Sequence, residues 1–390
     1  MSSFVPCASI YADTLYDGRS REAQSRVLIE VEAGRIVAVH VGIDARDLPP
    51  EALRVPIAMP GIIDLQINGA GDVQFNFECN RTGLETIVAA SARGGATHIF
   101  PTFTAAPGKE YRQALEVVTK AVQDGVPGVA GVHLEGPFLS SKRPGIHNPD
   151  FLRPLTQDDV EVLCGASQSL RILLTLAPEE QDPDLLRQLY ESGITLFAGH
   201  TEASADIMTV ASQVGVTGVT HLFNAMRQMT PREPGVVGTV LSTGDFYAGI
   251  IADGHHVHPL NLSLAVQTLP DHLCLVSDAM QTMNGTSDGM QLYGRKISLQ
   301  EGRLVGEDGT LGGAHLTMAE AVRNITQLTQ ASLGQAAQFA SSNPARAMNL
   351  HHSLGCVSPG FSASLTLLDD ALNCVGILRD GLLQAFDDHV

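Results

Sequence analysis

The chain has 390 residues, 24 Lys+Arg against 42 Asp+Glu, a formal charge of −18 and a hydrophobic content of 44%. So much apolar material can bury a large core, which excludes intrinsic disorder, and the acidity argues against a nucleic-acid partner, which needs a basic face. There is no tryptophan and aromatic residues make up 5%, so stacking platforms for bases or long glycans are not expected.

Met1 to Ala12 has neither a basic start nor a sustained apolar stretch, so no signal peptide is expected. No run approaches the roughly 18 apolar residues of a membrane span. From Val27 to Val39, VLIEVEAGRIVAV alternates around Gly34 and predicts a β-hairpin. Pro49, Pro50, Pro56 and Pro60 then mark a boundary near residue 59. Short apolar runs follow, most of them ending in a polar residue: Ile62–Asn68, Thr97–Phe103, Val129–Glu135, Arg171–Ala177, Ile194–His200, Gly218–Asn224, Tyr247–Asp253 and His272–Asp278. Their composition is that of buried parallel strands. Helix-like segments lie between most of them, such as Leu84–Arg93, Tyr111–Gln123, Pro183–Ser192, Ser204–Val214 and Pro259–Leu269. This alternation predicts an α/β fold, a (β/α)8 TIM barrel over residues 60–346. A doubly wound sheet is the competitor, but Asn68-Gly69-Ala70-Gly71-Asp72 does not complete its GxGxxG fingerprint. Leu354–Asp369 and Cys374–Leu378 read as short strands again, so both ends, 1–59 plus 347–390, read as β-structure around the barrel. The six cysteines contain no CxxC pair, which points to free thiols in a reducing, cytoplasmic setting.

The C-terminal strand ends of a barrel share one mouth. Here they carry Gln66, Asn68, Glu135, His200, His221, Asp253 and Asp278. Glu135, His200 and His221 form the ligand set of a catalytic zinc site, three protein ligands with one open position; iron, manganese or cobalt would also fit. Asp278 stands where it can take a proton from water. Each residue also has a plainer reading. A lone strand-end histidine is more often a satisfied polar group than a ligand. Asp278 could cap a helix after Ala279, and Asp253 could make an Asx-turn. Arg232, in TPREPG, could clamp a phosphate together with His255, His256 or His258 of DGHHVHP, with Arg227 as a competitor. His147, in RPGIHNP, can reach the mouth. Leu311-Gly312-Gly313 precedes a helix expected from near Thr317, and either offers backbone amides to a ligand or makes a turn.

PGIIDLQINGAG, HLEGPF, GIHNPDF, AGHT, THLFNAM, REPG, IADGHHVHP, LVSDAM and GTLGGAHLTM occur in this order. Through them nearly the whole chain resembles the N-acetylglucosamine-6-phosphate deacetylases of the amidohydrolase superfamily. The resemblance implies a (β/α)8 barrel with a small β-sandwich built from both termini. It implies metal ligation by Glu135, His200 and His221, acid/base catalysis by Asp278, and His147 beside the acetamido group. Ile146, His147, Asn224, Ala225, Arg232, His256, Leu311, Gly312 and Gly313 match substrate-binding positions. Arg232 and His256 match the phosphate-binding pair, one of them supplied by the neighbouring subunit of a homodimer. Many members of the superfamily carry HxH on the first barrel strand to hold a second metal; Gln66 and Asn68 stand there here. Amides are poor ligands beside imidazole, so one divalent ion per subunit is expected, zinc ahead of iron, manganese or cobalt. The implied reaction is hydrolysis of N-acetyl-D-glucosamine 6-phosphate to D-glucosamine 6-phosphate and acetate in amino-sugar catabolism. The N-acetylgalactosamine 6-phosphate counterpart is the alternative, and a non-catalytic metal-binding barrel a more distant one. No nucleic acid or membrane partner is expected.

Overall fold

Each of the eight apolar runs forms a strand: β1 (Ile62–Ile67), β2 (Ala96–Thr104), β3 (Val132–Glu135), β4 (Ile172–Leu176), β5 (Thr195–Ala198), β6 (Val216–Val219), β7 (Tyr247–Ile250) and β8 (Leu273–Leu275). The structure, a computed structural model, describes residues 5–386; the outermost residues of the expected terminal unit, 1–4 and 387–390, lie outside it. The strands lie side by side in chain order, all pairs parallel. The ring is closed past the end of β8, where Ile67 bridges Ala279. There Asn68 N donates to Ala279 O at 2.8 Å and Asp278 N to Gln66 O at 2.9 Å. The result is a (β/α)8 barrel.

Helices α1 (Arg81–Arg93), α2 (Tyr111–Gln123), α3 (Gln157–Ser167), α4 (Pro183–Glu191), α5 (Ala205–Gln213), α6 (Gly235–Thr243), α7 (Pro259–Thr268) and α8 (Met318–Leu328) alternate with the strands. The buried face of α2 is Ala114, Leu115, Val118 and Ala121, the spacing of one helical stripe. Two helices escape the periodicity reading. In α6, GVVGTVLST is glycine-rich, β-branched and largely buried, a composition that favours a strand. In α3, QDDVEVLCGAS has a weakly patterned face, but its start is a capping box in which Thr156 and Asp159 bond reciprocally.

The terminal segments form a separate eight-stranded sheet with contributions from both ends of the chain. It folds back on itself: at the tip of the Gln24–Glu32/Arg35–Val41 hairpin, Gly34 O accepts from Ala363 N at 2.9 Å, and Ile36 N donates to Phe361 O at 3.0 Å. Residues from both ends, among them Ile10, Ile29, Val55, Leu365 and Leu378, share one buried cluster distinct from the barrel core. Of the short strands expected within Leu354–Asp369, Leu365–Leu368 is the one that joins a ladder. Thr366 ties this sheet to the barrel, accepting from Ile62 N at 3.2 Å and donating to Gly95 O at 2.8 Å.

A four-stranded antiparallel sheet after β8, Gly289–Leu292, Arg295–Gln300, Arg303–Gly306 and Leu311–Ala314, was not anticipated. It covers a small apolar cluster of Met280, Met290, Leu292, Ile297 and Leu304. Leu311–Gly313 is therefore strand, not the turn that was its plainer reading. Gly313 lies at φ +67°, where an added Cβ would come within 3.0 Å of Asp278 O, so glycine is required for this close approach.

Candidate active site

Glu135 is the last residue of β3, while His200, His221 and Asp278 lie just beyond the ends of β5, β6 and β8. The latter three adopt φ of +49°, +35° and +46°, a left-handed backbone that costs non-glycine residues energy and gathers at functional sites. These turns aim the three side chains back over the barrel axis. Glu135 Oε1 lies 3.0 Å from His221 Nε2 and 3.3 Å from His200 Nε2. The two imidazole Nε2 atoms are 3.1 Å apart, and all three residues are buried.

This donor set fits a divalent cation. The His200 Nδ1 lies 2.9 Å from Arg143 O. A carbonyl only accepts, so Nδ1 carries the hydrogen and Nε2 offers its lone pair to the centre, the tautomer a ligand needs. Burial alone would raise the pKa of Glu135, but the two imidazoles outweigh it and hold the carboxyl below its ordinary range. His221 is shifted the opposite way: burial disfavours its charge, and Glu135 more than offsets that. A buried carboxylate that draws positive charge onto its neighbours is the environment a cation stabilises. No other cluster of three such groups occurs among the described residues. One layer below, His133 is engaged at both nitrogens, with Thr102 at 3.1 Å and Thr175 at 2.7 Å, and burial pushes its pKa down to about 4. It is a neutral part of the packed barrel interior.

Asp278 caps no helix. Its Oδ1 accepts from Gln66 Nε2 at 3.0 Å and Asn68 Nδ2 at 2.7 Å, and Gln66 Nε2 also reaches Glu135 Oε1 at 3.1 Å. The amide pair thus faces inward from β1 and its end, and serves as hydrogen-bond donor to both carboxylates. Burial first, then the charge of Glu135, pushes the pKa of Asp278 up to about 7.

These groups open on a cavity of about 470 Å³. Ile146 and His147 line it from the loop after β3, Asn224 and Ala225 from the loop after β6, and His256 from the loop after β7. Leu311 and Gly313 line it from the inserted sheet; Gly312 faces away from it, against Ile146 and Ile297. The ring of His147 stands edge-on to His200 with centroids 4.5 Å apart, and burial pushes its pKa down to about 3, so it is neutral. Asp253 makes the expected Asx-turn, accepting from His255 N and His256 N at 2.8 Å each. It also bonds His256 Nδ1 at 2.6 Å, which leaves that ring's Nε2 for the cavity. His258 caps α7 and His255 is exposed. Arg232 is exposed and does not line the cavity of its own chain; Arg227 reaches Glu202 O at 3.5 Å and does not line it either. Two cations missed in the sequence do line it: Lys142 and Arg143, the latter paired with Glu202. Their basic dipeptide directly before PGIHNP was the available signal.

Residues 57–386 match the model of the amidohydrolase family. An N-acetylglucosamine-6-phosphate deacetylase of Haemophilus influenzae is 31% identical over 82% of this chain and 84% of its own. An N-acetylgalactosamine-6-phosphate deacetylase of Shewanella sp. is 34% identical over 88% and 87%. The crystal structure of N-acetylglucosamine-6-phosphate deacetylase from Pasteurella multocida superposes with a TM-score of 0.91 at 29% identity, covering 97% of this chain and all of the other.

Proposed function

The chain belongs to the amidohydrolase family, and from that premise we propose that it hydrolyses N-acetyl-D-glucosamine 6-phosphate to D-glucosamine 6-phosphate and acetate. One observation carries the reading: Glu135, His200 and His221 converge within 4.8 Å in the same cavity as Asp278. Held by these three residues, a divalent ion would supply Lewis acidity and a nucleophile at neutral pH; zinc suits the carboxylate–imidazole set, with iron, manganese or cobalt as alternatives. Asp278 takes the proton of the attacking water and returns it to the departing nitrogen, since an amide anion is too poor a leaving group. Both amides engage its Oδ1, so Oδ2 is the oxygen that carries the proton. His147, neutral, donates to the acetyl oxygen as charge develops there. His256, set by Asp253, and Lys142 and Arg143 at the rim suit the phosphate, whose binding positions the distant amide.

Arg232 serves the phosphate from the neighbouring subunit of a homodimer. Its exposure supports this, as do the bare apolar side chains of Met229, on the same loop, and Leu260, at the start of α7, a surface that a second copy would cover. The six thiols, all unpaired, agree with a cytoplasmic protein. No helix of the described residues is long and apolar enough to cross a membrane. The Shewanella relative favours a second reading, the same reaction on N-acetylgalactosamine 6-phosphate. Acetate release from the two sugar phosphates, with unphosphorylated N-acetylglucosamine as control, decides: turnover confined to the phosphorylated gluco sugar is expected, and no acetate from any of the three would refute the reading.

A further inference from the structure

Arg295 opens the second strand of the inserted sheet, outside the cavity wall. Its Nη1 donates to Gly145 O at 3.3 Å and Ile146 O at 3.0 Å, and its Nη2 to Asp308 Oδ2 at 3.0 Å. The guanidinium therefore ties together two stretches that line the cavity: the loop through residues 143–147, and the turn and strand around Thr310 and Leu311. A planar fork of donors suits this, because a single ammonium cannot hold two carbonyls and a carboxylate in fixed directions.

The loop it grips sets two of the imidazoles. Arg143 O takes the Nδ1–H of His200. Gly145, at φ +56°, lies so close to that ring that an added Cβ would meet its Cε1 at 3.0 Å. His147 has no comparable anchor of its own: its Nδ1 lacks a hydrogen-bond partner and its Nε2 is 4.0 Å from Glu135 Oε2. Its place is decided by the backbone that carries it and by packing on His200. The carbonyls of the two residues immediately before His147 are the ones Arg295 holds.

We propose that Arg295 is a positioning residue for the reaction: by clamping the Gly145–Ile146 backbone it places His147 over the reacting amide and steadies the tautomer of His200. The inference rests on the cavity being the substrate site proposed above, yet one arm of its test needs no substrate.

Arg295→Met should lower kcat/KM for N-acetylglucosamine 6-phosphate roughly ten- to a hundredfold, the scale of a displacement near 1 Å in a reacting constellation. It should also speed release of the bound metal to a chelator. Arg295→Lys should recover part of both, and carries the same test if the Met variant does not fold. In a His147→Ala background the kcat/KM cost of Arg295→Met should shrink, because the group it places is gone. The proposal is overturned if Arg295→Met stays within about twofold of wild type in both kcat/KM and metal release, or if its kcat/KM cost is undiminished without His147. Should wild type release no acetate from any sugar, the functional reading fails, while the chelator arm still decides the role of Arg295.

Discussion

Asp278 receives two amide donors on a single carboxylate oxygen. An asparagine in its place can keep its Oδ1 toward Gln66 and Asn68 and put its amide nitrogen where Oδ2 was. Asp278→Asn should therefore fold and keep its metal, yet lose at least about 10² in kcat, since an amide cannot shuttle a proton. Elemental analysis beside acetate release checks both halves, and near-normal turnover would leave Asp278 a structural role only. His221→Ala should instead lose metal and activity together, because it removes one of the three proposed ligands. Two tightly held metals per chain after dialysis of the wild type would contradict the expectation of a single ion. At this scale the gathering of Glu135, His200 and His221 at one mouth was legible, because each sits at or just past the end of an apolar strand, where a polar residue is otherwise costly. Gln66 and Asn68 were legible only as poor ligands. That they hold the two carboxylates depends on the barrel closing β1 against the segment after β8 and bringing the end of β3, two strands away, within reach across the mouth, which no local pattern states.

The loop leading into α3 and its first turn carry a buried charge network. Asp159 accepts from Arg153 Nη1 at 2.6 Å and Nη2 at 2.9 Å, from Tyr111 OH at 2.7 Å, and from Thr156 N and Oγ1 at 3.0 and 2.7 Å. Burial would raise its pKa, but these donors outweigh it and hold the carboxyl below its ordinary range. Asp159→Asn should cost about 1–3 kcal/mol at pH 7, read from urea midpoints. The sign of the pH effect follows from the lowered pKa. The contribution of Asp159 is complete above the unfolded-state value of about 4, and is lost as pH falls through the folded-state one. The gap between variant and wild type should therefore narrow below about pH 4; a gap that widens there would exclude this ion pair as its source. The capping-box residues Thr156 and Asp159 were present in the sequence to announce α3, whereas α6 had no such signal, and only its burial against the barrel makes its valines helical.

Within one chain Arg232 reaches no substrate cavity. In a homodimer in which it completes the partner's site, Arg232→Ala and Asp278→Asn subunits complement each other. A mixed dimer holds one site with both residues intact, so an equal mixture after subunit exchange should regain up to about a quarter of wild-type activity. No gain on mixing would make Arg232 an ordinary surface arginine and leave the phosphate to His256, Lys142 and Arg143. The same variant should matter little for unphosphorylated N-acetylglucosamine, which offers a guanidinium nothing to hold.

The sequence by itself determined the barrel, the order of its strands and the placement of Glu135, His200, His221 and Asp278 at one mouth, because burying a parallel strand on both faces demands an uninterrupted apolar run, and the polar residues that end most of these runs mark the mouth. The inserted sheet was invisible to that logic: its strands are short and half-exposed and leave no continuous apolar run. Tertiary structure alone decided what long-range contacts set, with partners far apart in the chain: the amides of Gln66 and Asn68 on Asp278, and Arg295 holding a loop some 150 residues earlier. A hydrogen bond between segments so far apart leaves no periodic trace in either one; it exists only once the barrel has closed and brought their backbones within about 3 Å.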